Sequence, residues 1–296
     1  MEELTACPIC NSLKFNKLFE CEDHTVSHET FQIVECEQCG FAFTNPRPSE
    51  NEIKPYYQSE DYISHSNASK GLVNTLYQTV RKHALKSKYK LIFSITGKPT
   101  SLLDYGSGTG EFLQTMKKGG FDVQGLEPSP DAKDQAIKNY NLKIQSPDEL
   151  KNIPNESFDV VTMWHVLEHV HQLKPTLEEL KRVLKKNGHL LIAVPNRSAL
   201  EERIYKKNWA AYDVPRHLYH FNSPQIRMLV EEQGMHLVKY KGMPFDSFYI
   251  SLLSEQYRGS GIFKYPLAVL FGKLTFIASL FNKDKSSSLL YVVQKK

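Results

Sequence analysis

The chain has 296 residues, 41 % hydrophobic and 24 % charged, which is enough to bury one large core with a small appendage and excludes global disorder. A net charge of +4, spread evenly, is too mild for nucleic acid to be the main partner. The opening MEELTACPIC has no basic segment ahead of an apolar run, and no span of 18 residues is free of charge. Neither a secretory leader nor an ordinary membrane span is therefore expected, and the location is read as cytoplasmic.

Residues 1–45 hold all five cysteines: Cys7, Cys10, Cys21, Cys36 and Cys39. An odd number, clustered and paired by spacing, suits a metal site better than a disulfide framework. Cys7-Pro8-Ile9-Cys10 and Cys36-Glu37-Gln38-Cys39-Gly40 are two C-x-x-C knuckles. Four soft ligands fit tetrahedral Zn²⁺ with no open position, which makes the site structural; metal-free buried thiols are the alternative. Zinc would stand in for the core that so short a segment cannot build. Cys21 is left over, either a free thiol or a partner of His24 and His28 in a second site. Short alternating runs such as Phe31–Val34 read as small hairpins.

Asn45-Pro46-Arg47-Pro48 is a rigid exit into a connector over 46–71, which carries Tyr56, Tyr57 and Tyr62. From residue 72 onward lies the main domain. A basic helix over 72–95 ends at Gly97-Lys98-Pro99. Strands and helices then alternate: a strand over 101–105, a helix over 111–118, a strand over 123–127, a helix over 130–140 and a short strand over 142–145. A strand follows over 158–164, then a helix over 175–186 stopped at Asn187-Gly188, and a strand over 189–194. This alternation predicts an α/β fold with a mostly parallel, doubly wound sheet covered on both faces. Ser223-Pro224 is expected to open another helix as cap and first residue. Strand candidates follow at 236–241 and 289–293, with an apolar stretch between them.

The strongest signal is Asp104-Tyr105-Gly106-Ser107-Gly108-Thr109-Gly110, placed where a strand ends and a helix begins. Its glycines let the backbone turn tightly and approach a ligand. In open α/β sheets, ligands bind outside the carboxyl ends of the strands. Glu127 ends the next strand, where a carboxylate can accept from ribose hydroxyls. The spacing is G-x-G-x-G, not the dinucleotide G-x-G-x-x-G, which argues against a nicotinamide oxidoreductase.

Together, D-Y-G-S-G-T-G, then G-L-E, then F-D-V-V resemble the class I S-adenosylmethionine-dependent methyltransferases over about residues 72–245 and the last strand. The resemblance implies a seven-stranded sheet. It assigns the methionine and sugar portions of S-adenosylmethionine to Asp104, Tyr105, Gly106, Ser107, Gly108 and Gly110, and the ribose to Glu127 beside Pro128. Trp164 and His165 would line the pocket. Many relatives have an acidic residue where this chain has Ser146, so Asp148 is the expected contact to the adenine amino group. The zinc-ribbon-like N-terminal module, the N-P-R-P exit and this core together resemble zinc-containing sugar C-methyltransferases, and also bacterial proteins similar to the ubiquinone-biosynthesis O-methyltransferases.

Methyl transfer to oxygen or carbon calls for donor alignment and a base. Trp164-His165-Val166-Leu167-Glu168-His169 follows the fourth strand of the core. Ubiquinone-making relatives carry Glu at the His165 position, then the same L-E-H, associated with a divalent ion. His165, Glu168 and His169 are therefore candidates for bases or metal ligands, or for mere pocket lining. Asp213-Val214-Pro215-Arg216-His217-Leu218-Tyr219-His220-Phe221 is expected as a loop over the pocket. There Arg216 would hold an anionic group and His217 or His220 would act as base, unless these residues only pin the loop. DNA-base methylation is disfavoured, because Met163-Trp164-His165 replaces its D/N/S-P-P-aromatic motif.

An apolar insertion over about 246–285 reads most plainly as helices packed against their own domain, and otherwise as a helical cap over an apolar substrate, a dimer surface or an interfacial anchor with peripheral membrane contact. An integral membrane role is not expected, because Lys264, Pro266 and Lys273 break the run. The sequence thus predicts a methyltransferase for a small-molecule acceptor: apolar, phenolic or a sugar. The non-enzymatic alternative is a cofactor-binding protein that docks a partner through its zinc module.

Overall fold

The computed structural model describes residues 1–58 and 72–296, the side chains of 72–80 excepted. Tyr62 and the later part of the expected connector lie outside the described residues.

Three N-terminal strands come first: β1 (Phe15–Glu22), β2 (Thr30–Cys36) and β3 (Ala42–Thr44), each antiparallel to the next. Then follow α1 (Leu72–Thr96), β4 (Ser101–Tyr105), α2 (Glu111–Lys118), β5 (Asp122–Leu126), α3 (Pro130–Tyr140), β6 (Ile144–Gln145) and β7 (Phe158–Trp164). Helix α2 forms because Phe112, Leu113 and Met116 share one buried face. Helix α3 starts at a Ser129 cap, whose Oγ accepts from the Ala132 amide, and has Pro130 in its first turn.

Next come α4 (Leu173–Val183) and β8 (Leu184–Pro195). Asn187-Gly188 was expected to end the helix but lies inside the strand. The register between β7 and β8 shifts there, with Phe158 opposite Leu184 but Val160 opposite His189. The extra residues form a bulge, Asn187 at φ +64° and Gly188 too close to the Lys185 carbonyl to carry a Cβ. The chain continues through α5 (Leu200–Tyr205), β9 (Tyr219–His220), α6 (Ser223–Glu232) and β10 (Met235–Gly242). Asn222, not Ser223, is the cap residue of α6. Helices α7 (Asp246–Tyr257) and α8 (Lys264–Phe281) make up the late insertion, and β11 (Ser288–Lys295) closes the fold.

The main sheet has the order β10-β11-β8-β7-β4-β5-β6. Strands β8, β7, β4, β5 and β6 run parallel, and β11 inserts antiparallel between β8 and β10. This is the seven-stranded class I methyltransferase arrangement. Its carboxyl edge gathers the ends of β4, β5 and β7, where the chain reverses between β4 and β7, so a ligand crevice is expected there.

The N-terminal strands do not stand alone. Strand β9, from the far end of the domain, pairs with β3 through Ala42–His220 and Phe43–Tyr219. Ile9, Phe41 and Phe43 pack in the same buried cluster as Leu218, Tyr219, Phe221 and Ile226. The other sheet face is covered by α1, α2 and α3 through Ile92, Phe112, Leu113 and Ala136.

Candidate active site

The glycine loop after β4 is held by backbone bonds: the Gly106 amide donates to the Leu126 carbonyl at 2.7 Å and the Gly110 amide to Ser107 at 3.1 Å. Gly106, Gly108 and Gly110 all have positive φ, at +80°, +53° and +85°. At Gly106 a Cβ would strike Val166, whereas beside Gly108 there is open space. The loop therefore leans on Val166 and leaves a bare backbone face toward the crevice.

Asp104 is buried and accepts from the Thr162 hydroxyl at 2.6 Å. Burial pushes its carboxyl up to about 7, against the pull of that hydroxyl and of Lys88. Glu127 accepts from the Gly108 amide at 2.7 Å and the Ser129 amide at 2.9 Å, and burial raises it above the usual carboxylate range. The Ser107 hydroxyl and the Trp164 indole N–H are buried with no hydrogen-bond partner among the described residues. Trp164 stands edge-on to Phe112, and the Lys88 ammonium lies 3.9 Å from its ring centroid. Burial lowers Lys88 to about 8. A bare glycine loop, two carboxylates and unpartnered buried donors fit a polar, cationic nucleoside such as S-adenosylmethionine. Tyr105 is half-buried, Pro128 is exposed, and Asp148 is exposed in the short 3₁₀ turn after β6.

His165, at φ +57°, turns the chain out of β7. Its Nδ1 is 3.5 Å from Glu168 Oε1 and its Nε2 is 3.7 Å from Asp246 Oδ2, at the start of α7. Burial opposes protonation, but the two carboxylates outweigh it and raise His165 above its ordinary value. Asp246 and Lys88 were not singled out in the sequence. Asp246 lies in an apolar insertion with no periodic relation to the sheet, and Lys88 in a helix full of lysines.

Glu168 is fully buried, and among the described residues neither of its oxygens has a hydrogen-bond partner. One donor atom from each of Glu168, His169 and His217 lies within 4.8 Å of the others. His169 Nδ1 donates to the Arg216 carbonyl at 3.0 Å, and His217 Nδ1 to the Ala211 carbonyl at 2.8 Å. A carbonyl thus orients each ring, as outer partners orient metal-ligating histidines, and the Tyr57 hydroxyl also lies 3.0 Å from His169 Nδ1. Burial and the neighbouring His217 lower His169 to about 4. His217, rather than His165, completes this cluster.

Two expected site residues are structural instead. Arg216 is 1 % exposed. Its guanidinium donates to Asp23 at 2.9 Å, to Asp213 at 2.7 Å and to the Tyr56 carbonyl at 2.8 Å, so it cannot clasp an acceptor. His220 is buried in β9, 3.2 Å from the Thr44 hydroxyl, and burial holds it well below its ordinary value. The segment expected as a lid is a strap between the two sheets.

Cys7, Cys10, Cys36 and Cys39 converge, with Cys7–Cys39 Sγ atoms 3.6 Å apart and Cys10–Cys36 3.5 Å apart. Zn–S bonds of about 2.3 Å in a tetrahedron need sulfur separations of about 3.8 Å, so the set fits zinc. Cys21 is buried against the Lys207 carbonyl at 3.4 Å, while His24 stacks on Tyr257 and His28 is exposed. Among the described residues these three form no metal cluster.

Sheet order, glycine loop and strand-end carboxylates define a class I S-adenosylmethionine-dependent methyltransferase. Residues 77–240 match the family model described as methyltransferase domain, and the chain belongs to that family. The ubiquinone biosynthesis O-methyltransferase of Pelagibacter ubique (strain HTCC1062) is 34 % identical over 108 residues, covering 34 % of this chain and 44 % of that protein. The mitochondrial ubiquinone biosynthesis O-methyltransferase of Rattus norvegicus is 28 % identical over 171 residues, covering 51 % of this chain and 50 % of that protein. The match thus spans half or less of these relatives' length. Magnesium protoporphyrin IX methyltransferase from Synechocystis PCC 6803 with bound SAH shares the fold, with a TM-score of 0.55, 12 % identity and coverage of 82 % of this chain and 98 % of that one. A putative sarcosine dimethylglycine methyltransferase from Galdieria sulphuraria does so too, with a TM-score of 0.53, 16 % identity and coverage of 73 % and 88 %.

Proposed function

We propose that the protein methylates a hydroxyl oxygen of a small, largely apolar acceptor, with His165 as base. The observation that carries this is the His165 imidazole, a third exposed at the end of β7 beside Trp164 and bracketed by Glu168 and Asp246. S-adenosylmethionine supplies an electrophilic methyl group on a sulfonium. Asp104 and the glycine loop would hold its methionyl portion, and Glu127 its ribose. His165 takes the hydroxyl proton as the C–O bond forms and the C–S bond breaks, and the two carboxylates stabilise the resulting imidazolium. The neighbouring pocket walls align the two reactants and exclude water.

Glu168, His169 and His217 are proposed to hold a divalent cation, which would supply Lewis acidity beside the acceptor. The four cysteines are proposed to hold structural zinc. The base is tested with His165→Asn and Asp246→Asn on phenolic acceptors. The expected result is a loss of about 10²–10⁴ in kcat for His165→Asn with SAH affinity kept, and a weaker loss with a shifted pH–rate profile for Asp246→Asn. Full turnover by His165→Asn would reject the assignment.

A further inference from the structure

The α7–α8 insertion is packed inside out. The buried side of the insertion, where its helices meet each other and the rest of the domain, is made of small and polar residues. Ser247, Ser251 and Ser254 of α7 recur at i, i+4 and i+7, and so do Ala268, Gly272 and Thr275 of α8; all are buried. The Ser247 hydroxyl donates to the Gly272 carbonyl at 3.0 Å, and a Cβ at Gly272 would come within 3.0 Å of the Phe248 Cα. Ser251 donates to the buried Glu201 at 2.7 Å, and the Ser254 hydroxyl accepts from the Ala210 amide at 2.9 Å. Close backbone approach over small residues is how helices pack where lipid surrounds them.

Ile250 and Phe271 pack inward, but most of the large apolar side chains of α8 face the other way. Ile262, Phe263, Val269, Leu270, Ile277 and Phe281 are exposed, Ile262 by 83 % and Phe281 by 88 %. Only 17 % of the most apolar 18-residue window in Gly261–Phe281 is buried. Water penalises a contiguous apolar surface of this kind.

The charges on this face are all of one sign. Gly261–Phe281 contains Lys264 and Lys273 and no acidic residue, and Lys283 and Lys285 follow directly. The one nearby acid in that segment, Asp284, is engaged by the Ser223 and Tyr240 hydroxyls. Lys273 is exposed among the apolar residues. Its four-carbon stem lets the ammonium reach a headgroup from a shallow helix, but not from mid-bilayer. A second copy placed face to face would set Lys273 against an equally cationic, acid-free surface.

We propose that the outer face of α8 lies in the interface of an anionic phospholipid membrane, with its apolar side chains in the acyl boundary and its lysines at the phosphates. The helix is a peripheral anchor rather than a span. Membrane binding holds whatever the acceptor is; given the proposed apolar acceptor, Asp246, the first residue of α7, connects the anchor to the candidate site, so the acceptor can arrive from the bilayer.

The test is flotation of the full chain with vesicles of phosphatidylcholine alone or with roughly one-third phosphatidylglycerol, which adds a negative surface potential. Co-flotation with the anionic vesicles only, weakening at high salt, is expected. Lys264→Gln with Lys273→Gln should weaken it by about fivefold per charge removed. Leu270→Ser with Ile277→Ser should abolish it, with SAH affinity and thermal midpoint unchanged as controls for folding. Failure to float with either vesicle, or equal flotation with both, overturns the proposal. So does a concentration-dependent dimer in sedimentation equilibrium that Leu270→Ser dissolves, since the face would then belong to a second copy.

Discussion

Asp104 is buried, hydrogen-bonded to Thr162 and lifted to about 7, so near neutrality it is poised between its two charge states. A cofactor ammonium pairs only with the ionised form. Below pH 7, binding must therefore expel a proton first, and affinity falls with acidity by up to about tenfold per pH unit. Above pH 7 the dependence flattens. Calorimetric titration of SAH from pH 5.5 to 8.5 should show this slope in the parent, and Asp104→Asn should bind at least about tenfold more weakly at pH 8 with the slope gone. A flat parent profile would remove Asp104 from the ammonium site. Asp104 and Glu127 are legible in the sequence because each closes a strand at a fixed distance from the glycines, and strand ends are where such a fold binds. His165 and Glu168 are legible for the same reason. Asp246 is not: only tertiary packing brings the first turn of α7 to within 3.7 Å of His165.

The strap over residues 213–221 shows where reading by local pattern stops. A cluster of Arg and His in a connecting segment looks like binding chemistry, but the partner that decides its role is distant. Arg216 meets Asp23 across 193 positions, and both side chains are almost fully buried. Asp23 also accepts from the Thr25 and Ser27 amides and hydroxyls, which fixes the β1–β2 turn. Burial opposes ionisation of Asp23, but Arg216 and the Ser27 amide outweigh it and hold the carboxyl well below its ordinary 3.8. A depressed folded-state value means that its stabilisation is fully present above about pH 4 and is lost as pH falls below that. Arg216→Met leaves a buried, unpaired carboxylate and should cost about 3–5 kcal/mol in urea unfolding at pH 7. Because the ion pair is then absent, the variant should also lose the parent's drop in stability at acid pH. If Arg216 instead clasped an acceptor, the variant would unfold like the parent and raise KM alone. The same limit applies to Asn187-Gly188, which reads as a helix stop but is used as a strand bulge, because a positive φ serves both.

At the scale of the whole molecule, the cysteine module and the methyltransferase core form one body. Cys7, Cys36, Phe41 and Phe43 belong to the cluster that contains Leu103, Val161 and Leu190 of the main sheet. Strand β9 is at once the edge of the small sheet and part of the strap that carries His217. A metal at the four cysteines would therefore fix more than the first 45 residues. It would set the seat of β3, hence of β9, hence of the Glu168–His169–His217 cluster. Binding zinc needs thiolates, so its free energy couples directly to folding of whatever packs on the site. One zinc per chain is expected by elemental mass spectrometry. Cys10→Ser or removal by a strong chelator should lower a single unfolding transition by at least about 10 °C and weaken acceptor turnover along with it. SAH binding should suffer less, because Asp104 lies on β4 and Glu127 directly follows β5, and these strands also pack on the opposite core with Ile92 and Phe112. Two separate transitions, with the second unaffected by chelation, would mean that the module folds on its own and that its cysteines serve something other than the core.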